Sequence, residues 1–321
     1  MTDPGLLVAG ETLVDFLPRA GGSLADAETL DRRAGGAPAN VAVGLAQLGH
    51  APWFWTRVGT DPFGDFLVDT LDGHGVPLRF VERDPTAKTT LAFVDDGAEE
   101  ATFSFYRDGT ADTRLEPGRV PEKTVQAVDA VYVGSVTLAS EPARTATVDL
   151  VERAHAAGRT VVLDLNFRPE LWTDGVFERV VIDLLADVDV VTATREDLRT
   201  LSFVDATADP KTLAAALCER GPSAAFLTLG EAGAAALARS GAPFAAGTAT
   251  HDGYDVDAVD TTGAGDAFTA GMLASLAEGT RDLSATLSFA NAVAAASTTA
   301  TGAMTALPTR TDVRTVGDGE T

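Results

Sequence analysis

The sequence predicts an α/β fold with three layers, in which helices cover both faces of a mostly parallel sheet, and a small additional β lid. From residue 130 onward, short apolar runs alternate with segments of helical periodicity. The runs are almost continuously apolar, which is typical of parallel strands buried on both faces. Two earlier segments, residues 11–34 and 79–108, are strand-rich and break this alternation. We therefore expect a Rossmann-like large domain formed by residues 1–10, 35–78 and 109–321, and a lid formed by residues 11–34 and 79–108.

The first third of the chain contains both the start of the large domain and the predicted lid. Helical spacing places Val41, Leu45 and Leu48 on one face of a helix that Gly49 ends. A second helix is expected to end before Gly75. The predicted helices are 39–48 and 63–74, and the predicted strands are 6–9, 12–17, 53–58, 80–81, 89–94 and 101–106.

The rest of the chain supplies the regular alternation. Gly158 ends one of its helices, as glycine commonly does. The predicted strands are 130–136, 161–165, 188–192 and 225–229, and the predicted helices are 142–157, 213–220, 266–277 and 283–299.

Composition excludes several classes of partner. The 321 residues carry a formal net charge of −23, and a protein that binds nucleic acid needs a basic surface instead. Such a charge opposes compaction unless concentrated salt screens it. Only three lysines occur, at positions 88, 123 and 211. Together these features predict a halophilic protein, although a high-GC genome also favours Ala, Gly, Arg and Asp.

Targeting signals and covalent cross-links are not apparent. Cys218 is the only cysteine, so no disulfide can form within the chain. The first residues lack a basic region followed by an apolar run, and no apolar stretch is long enough to span a membrane. We expect a cytoplasmic protein without a membrane partner.

The segment Asp260–Phe268, which reads DTTGAGDAF, is the strongest candidate for a chemical role. Gly263 and Gly265 allow a ligand to approach the backbone closely, and the following helix offers its free amide groups to an anion. Asp266 lies in the first turn of this helix, where a carboxylate beside a phosphate is unfavourable unless it orients a hydroxyl group and accepts its proton.

Simpler and rival interpretations of this segment are weaker. Thr262 can act as an ordinary helix cap. A dinucleotide-binding motif needs a third glycine where Phe268 stands, and the chain has no G-x-x-x-x-G-K-[ST] sequence.

A second glycine-containing motif, Gly35-Gly36-Ala-Pro-Ala-Asn40, opens the first helix. Asn40 offers a donor and an acceptor that suit sugar hydroxyls. The order of GGAPAN and DTTGAGDAF resembles the ribokinase-like, or PfkB-type, carbohydrate kinases over nearly the whole chain. The resemblance implies the ribokinase-like fold, with ATP and a sugar as ligands. It also implies that Asp266 is the catalytic base, that Gly263, Ala264 and Gly265 form the anion hole, and that Asp15, Gly35, Gly36 and Asn40 bind the sugar.

The resemblance also implies an ATP site and its metal ions. The family's T-x-G-x-x-G segment corresponds to Thr228, Gly230 and Gly233, and a family asparagine corresponds to Asn291. The family's N-x-x-E motif aligns with Thr194-Arg-Glu-Asp197, which implies that Thr194 lies near ATP and that Asp197 holds Mg²⁺ through water, with Glu196 as its rival. Asp260 and Thr262 correspond to residues that hold a monovalent cation such as K⁺, although Ala306 replaces an expected hydroxyl.

The choice of sugar depends on two further stretches. Asp164–Trp172 is similar to the D-x-N-x-R-x-x-L-W stretch of fructokinases and 2-keto-3-deoxygluconate kinases, and Phe105-Tyr106-Arg107 resembles the lid-side sequence of that branch. Tyr106, Arg107 and Arg168 are therefore predicted to contact the substrate. The opening GETLVDFLP and the run from Gly109 to Asp112 favour fructose. The alternatives are a kinase of ketodeoxygluconate or of a nucleoside, and a catalytically silent sugar-binding regulator. By analogy with the family, two copies of the chain can pair through their lids to form a homodimer.

Overall fold

The computed structural model describes residues 4–19, 21–95 and 102–317. The strands in these ranges form two separate sheets. In chain order they are β1 (Leu6–Ala9), β2 (Leu13–Pro18), β3 (Leu30–Gly35), β4 (Trp53–Gly59), β5 (Val81–Asp84), β6 (Leu91–Asp95), β7 (Thr102–Tyr106), β8 (Ala130–Gly134), β9 (Thr160–Asp164), β10 (Val190–Thr194), β11 (Ala224–Thr228), β12 (Ala234–Ala238) and β13 (Gly247–His251).

Helices connect most of these strands. Several begin with an aspartate whose carboxylate accepts backbone N–H groups of the first turn, for example Asp61 before the second helix and Asp282 before the ninth. The α-helices are α1 (Ala37–Gln47), α2 (Pro62–Gly73), α3 (Glu122–Ala127), α4 (Ala143–Ala156), α5 (Val176–Leu184), α6 (Arg195–Leu198), α7 (Pro210–Cys218), α8 (Ala264–Ala277), α9 (Leu283–Thr298) and α10 (Arg310–Gly317).

The larger sheet has the order β13-β12-β11-β10-β9-β8-β1-β4-β5. The strands from β11 to β5 pair in parallel, and β12 and β13 continue the sheet antiparallel. Because β1 lies between β4 and β8, the chain first extends the sheet on one side of β1 and then on the other. Ligands of open α/β sheets bind at such a reversal, beyond the carboxyl ends of the strands.

Alternating side chains of the larger sheet divide the core into two halves. Leu6 and Val8 of β1 pack on the side of α1, α8 and α9, whereas Leu7 and Ala9 pack on the side of α4, α5 and α7. Both faces are therefore covered by helices, which confirms the predicted three-layer α/β/α fold.

The smaller sheet has the order β3-β2-β6-β7 and draws its strands from the two segments predicted to form the lid. One predicted lid strand lies elsewhere. β5, expected within lid segment 79–108, pairs in parallel with β4 and forms the edge of the larger sheet. Residues 96–101 of the same predicted segment lie outside the described residues. The domain boundaries otherwise stay predictions.

Other differences from the predicted elements are local. The helix predicted at 266–277 starts two residues earlier, at Ala264, and β12 and β13 were not predicted at all. Alanine fills β12, so neither β-branched residues nor polar alternation marks it as a strand. Among the described residues, no helix has the length and apolarity needed to cross a membrane.

Candidate active site

Many of the predicted functional residues, including Asp15, Asn40, Arg168 and Asp266, lie at the carboxyl-terminal edge of the larger sheet. Glu11 follows β1, and Val136 follows β8. Asp164, Thr194 and Thr228 are the last residues of β9, β10 and β11. Since these strands are parallel, their carboxyl ends meet at one edge, beneath the smaller sheet.

Two cavities meet at this edge. The larger, of about 280 Å³, extends over β9, β10 and β11, and the smaller, of about 100 Å³, lies between β1, the start of α1 and the smaller sheet. Both cavities are lined by Asn166, Arg168, Gly263 and Asp266. A group bound at this junction would contact ligands in both cavities.

The start of α8 forms the floor of the junction. Gly263 has a φ of +80°, and a Cβ atom there would lie 2.8 Å from Cβ of Ala303, so glycine is required on two grounds. The amide of Ala264 donates to the carbonyl of Thr261 at 3.1 Å. Gly265 and Asp266 follow in the first turn, where amides lack an intrahelical acceptor. The amides that this turn offers to an anion are therefore those of Gly265 and Asp266, while the amide of Ala264, predicted to contribute, is already bonded.

Asp266 has the environment of a base. Its Oδ2 accepts a hydrogen bond of 2.8 Å from Nδ2 of Asn40, which orients the carboxylate. Burial raises the pKa of Asp266 from 3.8 to about 6, against the opposing effects of the Asn40 hydrogen bond and the positive charge of Arg168. A carboxylate with this pKa is ionised at neutral pH and accepts a proton more readily than an ordinary aspartate.

The smaller cavity is lined by several of the residues predicted to bind a sugar. It is lined by Asp15, Gly36 and Asn40, and also by Glu11. A Cβ atom on Gly35 would lie 1.9 Å from Oδ2 of Asp15, and one on Gly36 would lie 2.7 Å from the carbonyl oxygen of Glu11. The two glycines therefore let the loop before α1 pack directly against β2 and the end of β1.

Polar atoms in this cavity remain available for a ligand. Oδ1 of Asn40 is buried and has no hydrogen-bond partner among the described residues. Burial raises the pKa of Asp15 to about 7, although Arg168 and Arg33 oppose the shift. A hydroxyl group that donates to these oxygens would relieve their desolvation.

Arg168 lies at the junction of the two cavities, as predicted for a substrate contact. Its Nη1 donates to the carbonyl of Phe167 at 3.0 Å, and its guanidinium lies 5.6 Å from the ring centre of Phe103 in β7. The side chain therefore connects the sheet edge with the lid and presents a positive charge beside Asp266.

The structure does not place Tyr106 and Arg107 on either cavity. Phe103 and Phe105 face the smaller cavity, so strand alternation turns Tyr106 to the opposite face, where it is 65% exposed. Arg107 is buried and forms an ion pair of 2.7 Å between its Nε and Oδ2 of Asp112. This geometry therefore does not support the predicted contacts of Tyr106 and Arg107 with the substrate.

On the larger cavity, Thr194 and Asp197 form a capping box at the start of α6. Oδ2 of Asp197 accepts from the amide and hydroxyl of Thr194 at 2.7 and 2.8 Å, and Oδ1 accepts from the amide of Phe167 at 2.7 Å. Both carboxylate oxygens of Asp197 therefore already accept hydrogen bonds from the protein. Glu196, the rival for the metal role, lies on the same cavity with a side chain that is 68% exposed.

The other predicted ATP residues lie around β11 and α9. Thr228 lines the larger cavity, and Gly230 and Gly233 follow in the turn to β12 with φ values of +62° and +79°. A Cβ atom on Gly233 would lie 2.0 Å from the carbonyl oxygen of His251, so this glycine allows close packing of the turn. Asn291 is buried in α9, where its Nδ2 donates to the carbonyl of Leu287 at 2.8 Å.

Asp260, predicted to help hold a monovalent cation, accepts hydrogen bonds through both of its carboxylate oxygens. Oδ1 accepts from the amide of Thr262 at 3.0 Å, and Oδ2 accepts from the amide of Gly302 at 2.9 Å. Arg33 of β3 places its Nη1 3.4 Å from Oδ2. The lid strand β3 is thus tied to the loop that precedes α8.

Glu11, Asp164 and Asn166 are polar cavity residues for which no individual role was predicted. Burial raises the pKa of Glu11 and of Asp164 to about 7. Their signal in the sequence is a polar residue directly at or after the end of a buried parallel strand, which is where such sheets bind ligands.

A third cavity, of about 540 Å³, lies at the opposite edge of the larger sheet. It includes Arg159 and Arg281, whose guanidinium groups donate to backbone carbonyls. None of the predicted site residues lines this cavity.

Comparison with known proteins identifies the family of this chain. The family described as "pfkB family carbohydrate kinase" matches residues 3–310. A fructokinase of Klebsiella pneumoniae is 38% identical over 316 residues, covering 96% of this chain and 97% of its own. The structure of a fructokinase with bound ATP from Xylella fastidiosa has a TM-score of 0.85, 32% identity and 98% coverage of both chains.

A further similar structure contains both a sugar and a nucleotide. The double mutant of a fructokinase from Vibrio cholerae, bound to fructose, ADP and a potassium ion, has a TM-score of 0.83 and 28% identity, and covers 98% of this chain and 99% of its own. With the matched segment spanning nearly the whole sequence and the junction of cavities built around Asp266, the chain belongs to the pfkB family of carbohydrate kinases.

Proposed function

We propose that this carbohydrate kinase transfers the γ-phosphoryl group of ATP to a hydroxyl group of fructose. One observation carries the site assignment: Asp266 and the adjoining Gly263 line both cavities, so a base and an anion-binding turn stand where two ligands would meet. A two-substrate transfer needs this arrangement, because both reactants must be held in contact.

The chemistry of the two cavities supports one ligand for each. The smaller cavity offers carboxylates, an amide and the rings of Phe103 and Phe105, which suit the hydroxyl groups and apolar face of a sugar. The larger cavity includes the start of α8 and the hydroxyl of Thr228, which suit phosphate groups. ATP therefore fits the larger cavity, with its terminal phosphate toward Asp266.

In the proposed reaction, Asp266 orients the sugar hydroxyl and accepts its proton as the hydroxyl oxygen bonds to the γ-phosphorus. The bond between that phosphorus and the β–γ bridging oxygen breaks, and ADP leaves. Amides at the start of α8 and the guanidinium of Arg168 stabilise the negative charge on the transferred group. Closure of the smaller sheet over the sugar would exclude water and limit ATP hydrolysis.

Metal ions fit the site to different degrees. Bound Mg²⁺ supplies neutralisation of phosphate charge, and it usually takes only one or two protein carboxylates. Glu196 would hold it better than Asp197, whose oxygens are already bonded. Activation by K⁺ through Asp260 and Thr262 stays a prediction, and we expect Arg33 to compete with K⁺ for the Asp260 carboxylate.

A substrate panel tests the sugar. ADP release is measured with fructose, 2-keto-3-deoxygluconate and a purine nucleoside, each at saturating MgATP. We expect fructose to give the highest kcat/KM, by at least tenfold over the nucleoside and at least 100-fold over 2-keto-3-deoxygluconate. A higher value with ketodeoxygluconate or the nucleoside would refute fructose as the substrate while leaving the kinase reaction in place.

Other expectations about the protein stay predictions. The cytoplasmic location, the homodimer through the lid and the adaptation to concentrated salt depend on sequence patterns and on analogy. Sedimentation of the purified protein in low and high salt would test the dimer directly.

A further inference from the structure

A buried polar cluster lies behind the smaller cavity and has no part in the proposed transfer. It comprises Glu11, Thr90, Arg107, Thr110 and Asp112, which are all at most 6% exposed. Of these, only Glu11 lines the cavity. We refer to these five residues as the Arg107 cluster.

Asp112 fixes Arg107 within this cluster. Oδ2 of Asp112 is 2.7 Å from Nε of Arg107. Oδ1 accepts from the hydroxyl of Thr110 at 2.8 Å and also from the hydroxyl of Thr90. Both oxygens of Asp112 are therefore used, and the arginine is held in place by a saturated carboxylate.

The positive charge of Arg107 acts on Glu11. Nη1 and Nη2 of Arg107 are buried without hydrogen-bond partners among the described residues, and so is Oε2 of Glu11. Burial raises the pKa of Glu11 to about 7, and Arg107 is the largest opposing charge. Glu11 thus lines the cavity, feels the charge of a fixed cation, and has one buried carboxylate oxygen without a hydrogen-bond partner among the described residues.

The charges on the cavity wall decide what this oxygen can recognise. Glu11, Asp15 and Asp266 contribute three carboxylates, and Arg168 is the cation that lines the cavity among the described residues. A neutral sugar brings hydroxyl groups that donate to carboxylates, whereas a sugar acid adds a further negative charge to a wall whose carboxyl groups already resist ionisation, with pKa values raised to about 7, 7 and 6. A bound sugar acid would leave buried acceptors unpaired and would place its negative charge beside these carboxyl groups. Both effects disfavour its binding.

We propose that Glu11 binds a sugar hydroxyl and that the Arg107–Asp112 pair, by keeping Arg107 out of the cavity, makes the site selective for neutral sugars against sugar acids. This inference rests on the proposed function, since it assigns the smaller cavity to the sugar. Asp112 is a positioning residue that acts through Arg107, and Glu11 is the residue that touches the substrate.

The test compares fructose with 2-keto-3-deoxygluconate in the wild-type enzyme and in the variants Asp112→Asn and Glu11→Gln. Both kcat/KM and the dissociation constant by calorimetry are measured for each sugar. We expect the wild type to prefer fructose by at least 100-fold. In either variant one negative charge is lost, so the preference should fall by at least tenfold, mainly through KM.

A matched control separates selectivity from stability. Partly buried Arg57 and buried Asp84 form another ion pair, 3.2 Å apart, that lines neither cavity. Asp84→Asn should lower the melting temperature much as Asp112→Asn does, without changing the sugar preference. If Asp112→Asn does not fold, Glu11→Gln decides the question.

The outcomes separate this inference from the proposed function. Turnover of fructose by the wild type, with a sugar preference unchanged within threefold in the variants, would overturn the inference alone. The proposed function alone would be overturned by a wild type that turns over neither sugar but binds fructose more tightly than the acid, provided that Glu11→Gln abolishes this binding preference. A wild type that prefers the acid would overturn both.

Discussion

Replacing Asp266 by asparagine should abolish most of the catalysis while making the folded protein more stable. Asparagine keeps the shape of the side chain and an acceptor oxygen for Nδ2 of Asn40, which now lies 2.8 Å from Oδ2 of Asp266. It cannot accept the proton of the sugar hydroxyl. Loss of a general base costs about 10²- to 10⁴-fold, so kcat should fall by that factor while the dissociation constant for the sugar changes by less than about threefold.

The effect on stability follows from the pKa of Asp266. Burial raises this pKa from 3.8 to about 6, and a shift of that size corresponds to roughly 3 kcal/mol of unfavourable ionisation in the folded state. Because the carboxylate borders an open cavity, solvent screening reduces the cost, and we expect roughly 1–3 kcal/mol. The sign is that of a raised carboxyl pKa: the penalty is complete above the folded pKa and disappears as the pH falls below the unfolded value.

Asp260 provides a control in the same loop. Burial acts against it, but hydrogen bonds from Thr262 and Gly302 and the charge of Arg33 lower its pKa below the usual value. Asp260→Asn should therefore destabilise the protein at pH 8, whereas Asp266→Asn should stabilise it at pH 8 and have little effect near pH 4. Melting curves at the two pH values, with initial rates from ADP release, measure both effects. A kcat within threefold of wild type, or equal destabilisation by the two substitutions, would refute the role assigned to Asp266.

The remaining predictions concern pH, the start of α8, the metal and salt. Initial rates across pH should show kcat/KM decreasing about tenfold per unit below the pKa of about 6 that burial gives Asp266, and a profile flat to pH 4 would contradict its role as base. Gly263→Ala should destabilise the protein by about 1–3 kcal/mol, because of its positive φ and the contact with Ala303. Gly265→Ala, with nothing within 4 Å of the new methyl group, should keep or raise the melting temperature while lowering kcat; equal melting temperatures for both variants would refute this distinction. In Mg²⁺ titrations, Glu196→Gln should raise the Mg²⁺ concentration at half-maximal rate by about three- to tenfold. A substitution at Asp197, which caps α6, should mainly lower the melting temperature. The reverse pattern would indicate that Asp197, and not Glu196, holds the metal. Finally, melting temperature should rise between 0.1 and 2 M KCl, because a net charge of −23 is screened within about 3 Å at 1 M salt, and a melting temperature that falls over this range would argue against adaptation to salt.

Local sequence was sufficient to predict the glycine-containing turn at the start of α8. Gly263, Gly265 and Asp266 are close in sequence, and their roles follow from helix-start geometry that short stretches encode. The parallel strands were also predictable, since burial on both faces leaves continuous apolar runs. The roles of Asp266 and its neighbours in turnover stay predictions until the variants are measured.

Side-chain direction was much harder to predict. The sequence FYR suggested that Tyr106 and Arg107 contact the substrate, but pairing of β7 with β6 turns Phe105 toward the cavity and Tyr106 away from it. Arg107 then meets Asp112, and this ion pair buries it. Similarly, the N-x-x-E alignment suggested a metal role for Asp197, whereas the local turn uses its oxygens to cap α6.

The sequence by itself determined the layered α/β fold, the loop with its two glycines and the position of Asp266, because each depends on periodicity or on contacts within one turn. Only the tertiary structure decided that Asn40 orients Asp266, that Glu11 completes the smaller cavity, and that β5 belongs to the larger sheet. These features join residues up to 226 positions apart. Such contacts depend on which strands pair and which loops meet at the sheet edge, and hydrophobic periodicity along the chain carries no information about either.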